Sequence, residues 1–139
     1  NVSRVHKINF QRLNSFFRNP RTQFDWLAKD ENVVDAYIAD NNCGFDCTNS
    51  LWCDFITGNE NIMAFENLKE LNKEIRIYLA AGNDDPCIQT GSGINGLFEA
   101  FNDSFENVYL DLYDGMRHEI LNERCKDELL ESFIKFIKE

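Results

Sequence analysis

Two loop segments carry the residue types that could do chemistry. Asp84 and Asp85 lie in Ala81-Gly82-Asn83-Asp84-Asp85-Pro86, directly after the β-rich run at 75–80. His118 lies in Tyr113-Asp114-Gly115-Met116-Arg117-His118-Glu119, directly after a second such run at 108–112. Imidazole titrates near neutrality and can take a proton from a hydroxyl nucleophile. A buried carboxylate on its other ring nitrogen holds the correct tautomer and stabilises the imidazolium that forms. Both segments follow predicted strands, and open parallel sheets build their sites at the C-terminal strand ends. One known chain order for such triads is Ser, then Asp or Glu, then His. Asp85 and His118 fit the last two places. No Gly-x-Ser-x-Gly occurs in the 139 residues, so the first place is empty.

Each residue also has a plainer reading. Asp84 and Asp85 both suit a turn before Pro86, and His118 could be a solvated loop histidine. Asp114 and Glu119 flank the histidine and read as residues that organise its loop. Ser92 in Gly91-Ser92-Gly93 has Thr90 where the nucleophile turn needs glycine and has no strand before it, so it is expected to cap the helix beginning near Ile94. The same glycine-rich tract lacks the lysine and the preceding strand of a phosphate loop. His6 has no useful partner nearby and reads as a surface residue.

The elements that must position these loops change character along the chain. Residues 1–72 read as helices and loops. Phe10, Leu13, Phe16 and Phe17 share one helical face before Asn19-Pro20. Val33, Val34, Tyr37 and Ile38 follow, then a turn-rich break at 41–46. Ser50 is expected to cap a helix carrying Leu51, Trp52, Phe55 and Ile56 that stops at Gly58-Asn59. A further helix is predicted from Ile62, Met63, Phe65 and Leu68. Residues 73–139 read as strand (75–80), helix (94–101), strand (108–113) and helix (126–137), the last with Leu130, Phe133, Ile134 and Ile137 along one stripe. Such a βαβα order makes the two strands parallel. Two strands alone leave sheet edges open, so the chain is expected to form one part of a larger domain.

Composition narrows the class. With 43% hydrophobic and 27% charged residues, the chain reads as globular, and no apolar run approaches the roughly 18 residues that span a bilayer. A net charge of −10, from 24 acidic and 14 basic residues, opposes nucleic-acid binding. Five cysteines in irregular spacing do not form a disulfide framework and suit a reducing, cytoplasmic setting. Cys43, Cys47 and Cys53 lie close together without a histidine, which is a poor zinc pattern. No metal and no cofactor are expected.

The tract Ile77-Tyr78-Leu79-Ala80-Ala81-Gly82, then Asp85-Pro86, then Arg117-His118-Glu119-Ile120-Leu121-Asn122-Glu123, resembles the monoacylglycerol lipase and lysophospholipase branch of the α/β-hydrolases. The upstream Arg21-Thr22-Gln23-Phe24-Asp25-Trp26-Leu27, with Val34-Asp35-Ala36-Tyr37 and Cys43-Gly44-Phe45, is similar to the cap and post-cap region of its bacterial members. Arg76 and Asn41 stand where the family often has proline. The resemblance implies an α/β fold comprising the C-terminal part of an α/β-hydrolase: a helical cap segment at 1–72, then a βαβα unit at 73–139. It implies Asp85 as triad acid, in preference to Asp84, and His118 as triad base. The nucleophile-bearing half is absent by the same pattern.

A serine ester hydrolase acting on a lipid-like or small ester is therefore expected, with the chain alone inactive. Phe16, Phe17, Phe24, Trp26, Phe45, Trp52 and Phe55 suit either an apolar surface for an acyl group or plain core packing. The exposed sheet edge is expected to meet the N-terminal half or another copy of the chain. Alternatives are an α/β-hydrolase reaction with an Asp nucleophile, or a non-catalytic binding module of the same fold.

Overall fold

The computed structural model describes residues 4, 8, 12–62, 71–89 and 91–138, with the backbone alone described at 61 and 62. Phe10 and His6, and most of the helix predicted from Ile62, Met63, Phe65 and Leu68, lie outside the described residues. The loops bearing Asp85 and His118 leave β1 (Arg76–Gly82) and β2 (Asn107–Tyr113), which pair in parallel from Arg76↔Asn107 to Gly82↔Tyr113. The crossover between them carries helix α3 (Ser92–Asn102), as parallel pairing requires. β1 runs beyond the predicted 75–80 into Ala81 and Gly82, so both strands deliver their following loops to the same end of the sheet.

Helix α4 (Lys126–Lys138) covers one face of this sheet, using Phe133 of the predicted stripe but not Leu130, Ile134 or Ile137. Leu129 is fully buried, which is worth ~1.5–3 kcal/mol for such a side chain. Phe133 and Phe136, on the same face, meet Tyr78 at ring-centroid distances of 5.1 and 5.3 Å, and Phe136 meets Tyr109 at 5.6 Å. Tyr78 and Tyr109 are register partners and so project from one face of the sheet. The Arg76 guanidinium lies 4.3 Å from the Phe136 ring centroid and closes the cluster. Leu130, Ile134 and Ile137 form a neighbouring stripe that is exposed. The helix is apolar on two adjacent faces, and periodicity alone does not say which one meets the sheet.

The N-terminal region has its own core. Phe24, Trp26, Leu27, Ala28 and Val34 are buried together, with Leu13, Phe17, Val33 and Tyr37 packed against them. Helix α1 (Glu31–Ala39) starts at Asp30, whose carboxylate accepts from the Asn32 N–H at 2.9 Å. Gly44, with φ of +63°, comes so close to Phe24 that a Cβ would stand 2.9 Å from that ring. Its N–H donates to the Tyr37 hydroxyl at 3.1 Å.

Three predicted helix boundaries are corrected. Helix α2 (Asn49–Ile62) is entered from Thr48, whose hydroxyl accepts from the Leu51 N–H at 3.2 Å, and not from Ser50. It continues through Gly58-Asn59, because a glycine stops a helix only when it takes the left-handed conformation, and Gly58 does not. Ser92 does not cap α3 either. The capping position is Gly91, at φ +93°, while the Ser92 hydroxyl donates back to the Gln89 carbonyl at 3.1 Å. Among the described residues no helix is long and apolar enough to cross a membrane.

Candidate functional site

Asp85 follows β1 by three residues and closes the turn that leaves the strand. One carboxylate oxygen, Oδ1, accepts from the Cys87 N–H at 2.8 Å and caps the short 3₁₀ turn Pro86–Ile88. Pro86 suits the first position of that turn, where its fixed φ is favourable and no N–H is required. The other oxygen, Oδ2, lies 2.9 Å from His118 Nδ1. Asp85 is 4% exposed, so this carboxylate is held away from water. Asp84 is exposed and contributes its backbone N–H to the Met116 carbonyl at 2.9 Å. Of the two aspartates, Asp85 is the one brought to the histidine.

The two loops are tied together at their roots. The Asn83 N–H donates to the Tyr113 carbonyl at 3.1 Å, its side-chain amide donates to Asp114 at 2.7 Å, and its Oδ1 accepts from the Gly115 N–H at 2.8 Å. Gly82 lies directly beneath the histidine loop. A Cβ there would fall 2.2 Å from the Met116 carbonyl oxygen and 2.4 Å from that of Arg117, distances no real contact shows. The glycine is what lets one loop cross over the other.

A second set of contacts, which the sequence reading missed, fastens the histidine loop to the segment before α1. Glu123 is 4% exposed, and its Oε1 accepts from the Lys29 N–H at 2.6 Å and the Arg117 N–H at 3.2 Å. The Arg117 guanidinium donates to the backbone carbonyls of Asp25 and Ala28 and stacks 4.0 Å from the Phe17 ring centroid. The Glu119 N–H donates to the Leu27 carbonyl at 2.8 Å, and its carboxylate accepts from Asn122. Asp25 keeps its side chain for its own turn, accepting from the N–H groups of Arg21 and Thr22 and from the Thr22 hydroxyl. Burial opposes its charge, but these hydrogen bonds outweigh burial and leave its pKa lowered. A glutamate near the histidine was visible in the sequence; its burial and backbone partners were not.

Charge at His118 follows from this surrounding. The hydrogen bond to Asp85, and then one to Cys87, raise its pKa to about 10 against the lowering effect of partial burial. Since Nδ1 faces Asp85, Nε2 is the nitrogen left for a reacting group. The ring also packs on Trp26, with centroids 5.1 Å apart. Trp26 and Cys87 lead into a cavity of about 480 Å³ lined also by Arg12, Leu13, Phe16, Trp52, Phe55, Pro86 and Gln89. Of the seven aromatics singled out in the sequence, Phe16, Trp26, Trp52 and Phe55 line this cavity. Phe17 and Phe24 belong to the core, and Phe45 is exposed.

The sequence family described as "Serine aminopeptidase, S33" matches residues 2–125. The chain belongs to that family. Among solved structures, a highly thermostable carboxyl esterase from Bacillus coagulans, in complex with glycerol, is 30% identical with a TM-score of 0.81. The match covers 91% of this chain and 42% of that one. A lipase in its open form shares the fold at 24% identity and a TM-score of 0.75, covering 99% of this chain and 46% of the lipase. The chain thus spans less than half the length of either structure. No curated protein matches it significantly. The helices and the two-stranded parallel sheet are those of an α/β-hydrolase, as the resemblance implied.

Proposed function

We propose that Asp85 and His118 are the acid and base of a serine carboxylic-ester hydrolase of the lysophospholipase or monoacylglycerol lipase type, whose nucleophile lies outside these 139 residues. The observation that carries this reading is the buried Asp85 carboxylate on His118 Nδ1, which leaves Nε2 toward a reacting hydroxyl. The serine gives its proton to Nε2 as it attacks the ester carbonyl. The imidazolium then hands that proton to the leaving alcohol. Water repeats the cycle on the acyl-enzyme. Asp85 stabilises the charged ring at each stage. Attack requires the neutral ring, so the His118 pKa must fall in the reacting complex, and burial under substrate acts in that direction.

An ester with an aliphatic acyl group suits the apolar cavity beside His118 better than a peptide with a free amino terminus. Among the described residues the charged side chain lining that cavity is Arg12, which would repel an α-ammonium group. By itself the chain is inactive, for want of a nucleophile. The exposed residues Tyr109 and Leu112 of β2 and the second stripe of α4 meet the remainder of the protein or another copy. The five free cysteines fit a cytoplasmic setting.

The test is labelling and turnover of the protein carrying its upstream residues. It should react with a fluorophosphonate probe and hydrolyse short or medium-chain p-nitrophenyl esters. Absence of both would remove the reading.

A further inference from the structure

The sequence offered Cys43, Cys47 and Cys53 as the cysteines to weigh for a metal, yet the structure assembles a different donor set. Cys87 Sγ, a nitrogen of His118 and a carboxylate oxygen of Asp85 all lie within 4.8 Å of one another. Among the described residues this is the one group of three or more such donors. We propose that these three side chains form a site for a thiophilic divalent cation of the zinc class, and that its occupancy shuts off the acid–base pair. The inhibitory half rests on the role proposed above for Asp85 and His118; the binding half does not.

The chemistry of the donors favours that class. One thiolate, one imidazole and one carboxylate with a fourth position open to solvent match the mixed S, N and O ligation that zinc accepts. Zinc bonds of ~2.0–2.3 Å place tetrahedral ligand atoms roughly 3.3–3.8 Å apart. The Nδ1 to Oδ2 separation of 2.9 Å must open slightly and the thiol must swing inward. Cys87 is exposed and its side chain can rotate, while its backbone stays tied to Asp85 Oδ1 by its own N–H. That same bond orients the carboxylate from outside the donor set, as supporting contacts do in metal sites. A cation can arrive directly, because the His118 side chain is 43% exposed. Arg117, the nearest residue in sequence with a fixed positive charge, is turned away onto the carbonyls of Asp25 and Ala28.

Coordination takes Cys87 as thiolate and His118 as neutral imidazole, with the displaced protons released to solvent. The cation then occupies the place of the proton shared by Asp85 and His118. Nδ1 no longer donates to the carboxylate, and the ring can neither stabilise nor transfer a proton as the reaction requires.

The experiment titrates Cd²⁺ into the protein carrying its upstream residues, following the ultraviolet thiolate-to-metal charge-transfer band, and titrates Zn²⁺ in competition with a chromophoric chelator. One equivalent should bind. Cys87→Ser and His118→Gln should each weaken binding at least roughly tenfold, the loss that removal of even a supporting partner causes. Cys43→Ser and Cys53→Ser should leave it unchanged. Binding as tight in Cys87→Ser as in the unaltered chain, or binding lost only with Cys43 or Cys53, would overturn the site. In the ester-hydrolysing protein, Zn²⁺ should inhibit in parallel with binding; undiminished turnover with the site filled would overturn the inhibitory half. Stoichiometric binding through Cys87 in a protein without ester hydrolysis would leave the cation site standing and remove the hydrolase reading instead.

Discussion

His118 Nδ1 lies 2.9 Å from Asp85 Oδ2, although the two residues are 33 positions apart. They meet because β1 and β2 are parallel and in register to their last residues, Gly82 and Tyr113. Asn83 then spans the gap between the two loops. The relationship makes the pair a unit whose halves should fail together.

In the complete protein, His118→Ala and Asp85→Asn should each lower kcat on a p-nitrophenyl ester by several orders of magnitude, on the order of 10⁴. Asp84→Asn should change it little. The double variant should be hardly worse than either single one, since the residues act together. Steady-state kinetics on the four proteins checks this.

The pair also predicts a dependence on pH. His118 has its pKa raised from 6.5 to about 10 in the folded chain, chiefly by Asp85. A raised folded-state pKa means stabilisation that is complete below about 6.5 and lost as pH rises through about 10. Histidine ring resonances, followed by NMR in chelator-treated buffer, should show a midpoint far above the ordinary value. Asp85→Asn should bring it down. A midpoint near 6.5 in the unaltered chain would contradict the geometry.

Glu123 should matter to stability more than a surface glutamate does. Glu123→Ala leaves the half-buried N–H groups of Lys29 and Arg117 without their acceptor and should cost about 1–3 kcal/mol in urea unfolding. Glu123→Gln keeps the accepting oxygen and should cost less. In the complete protein Glu123→Gln should move kcat more than KM, because it loosens the loop bearing His118 rather than the cavity.

Two glycines make a paired control. Gly82→Ala should destabilise strongly and displace the histidine loop, since its methyl meets the Met116 and Arg117 carbonyls. Gly96→Ala, inside α3 with open space at the Cβ position, should instead stabilise by about 0.5–1 kcal/mol. Chemical denaturation of both variants reads the opposite signs.

Much of the strand scaffold was legible because β-rich runs ending in turn residues mark themselves locally. The choice of Asp85 over Asp84 came with the resemblance, through the position before Pro86. The contacting face of α4 was not legible: Leu129 and Leu130 are neighbours of one type, and tertiary packing alone separates the buried from the exposed. The passage of α2 through Gly58 escaped for a similar reason, since φ is set by context. Arg117 and Glu123 escaped because their partners are backbone groups, which carry no signature in a sequence.

The carbonyls of Asp25, Leu27 and Ala28 that hold the histidine loop are offered by every amino acid, whatever its side chain. Replacing a residue in 25–28 leaves the anchor itself in place, subject to packing. Adding or removing one shifts every carbonyl past its donor at once. The stretch is therefore tolerant of spelling and intolerant of length, and it is spacing along the backbone, more than residue identity, that keeps His118 where it is.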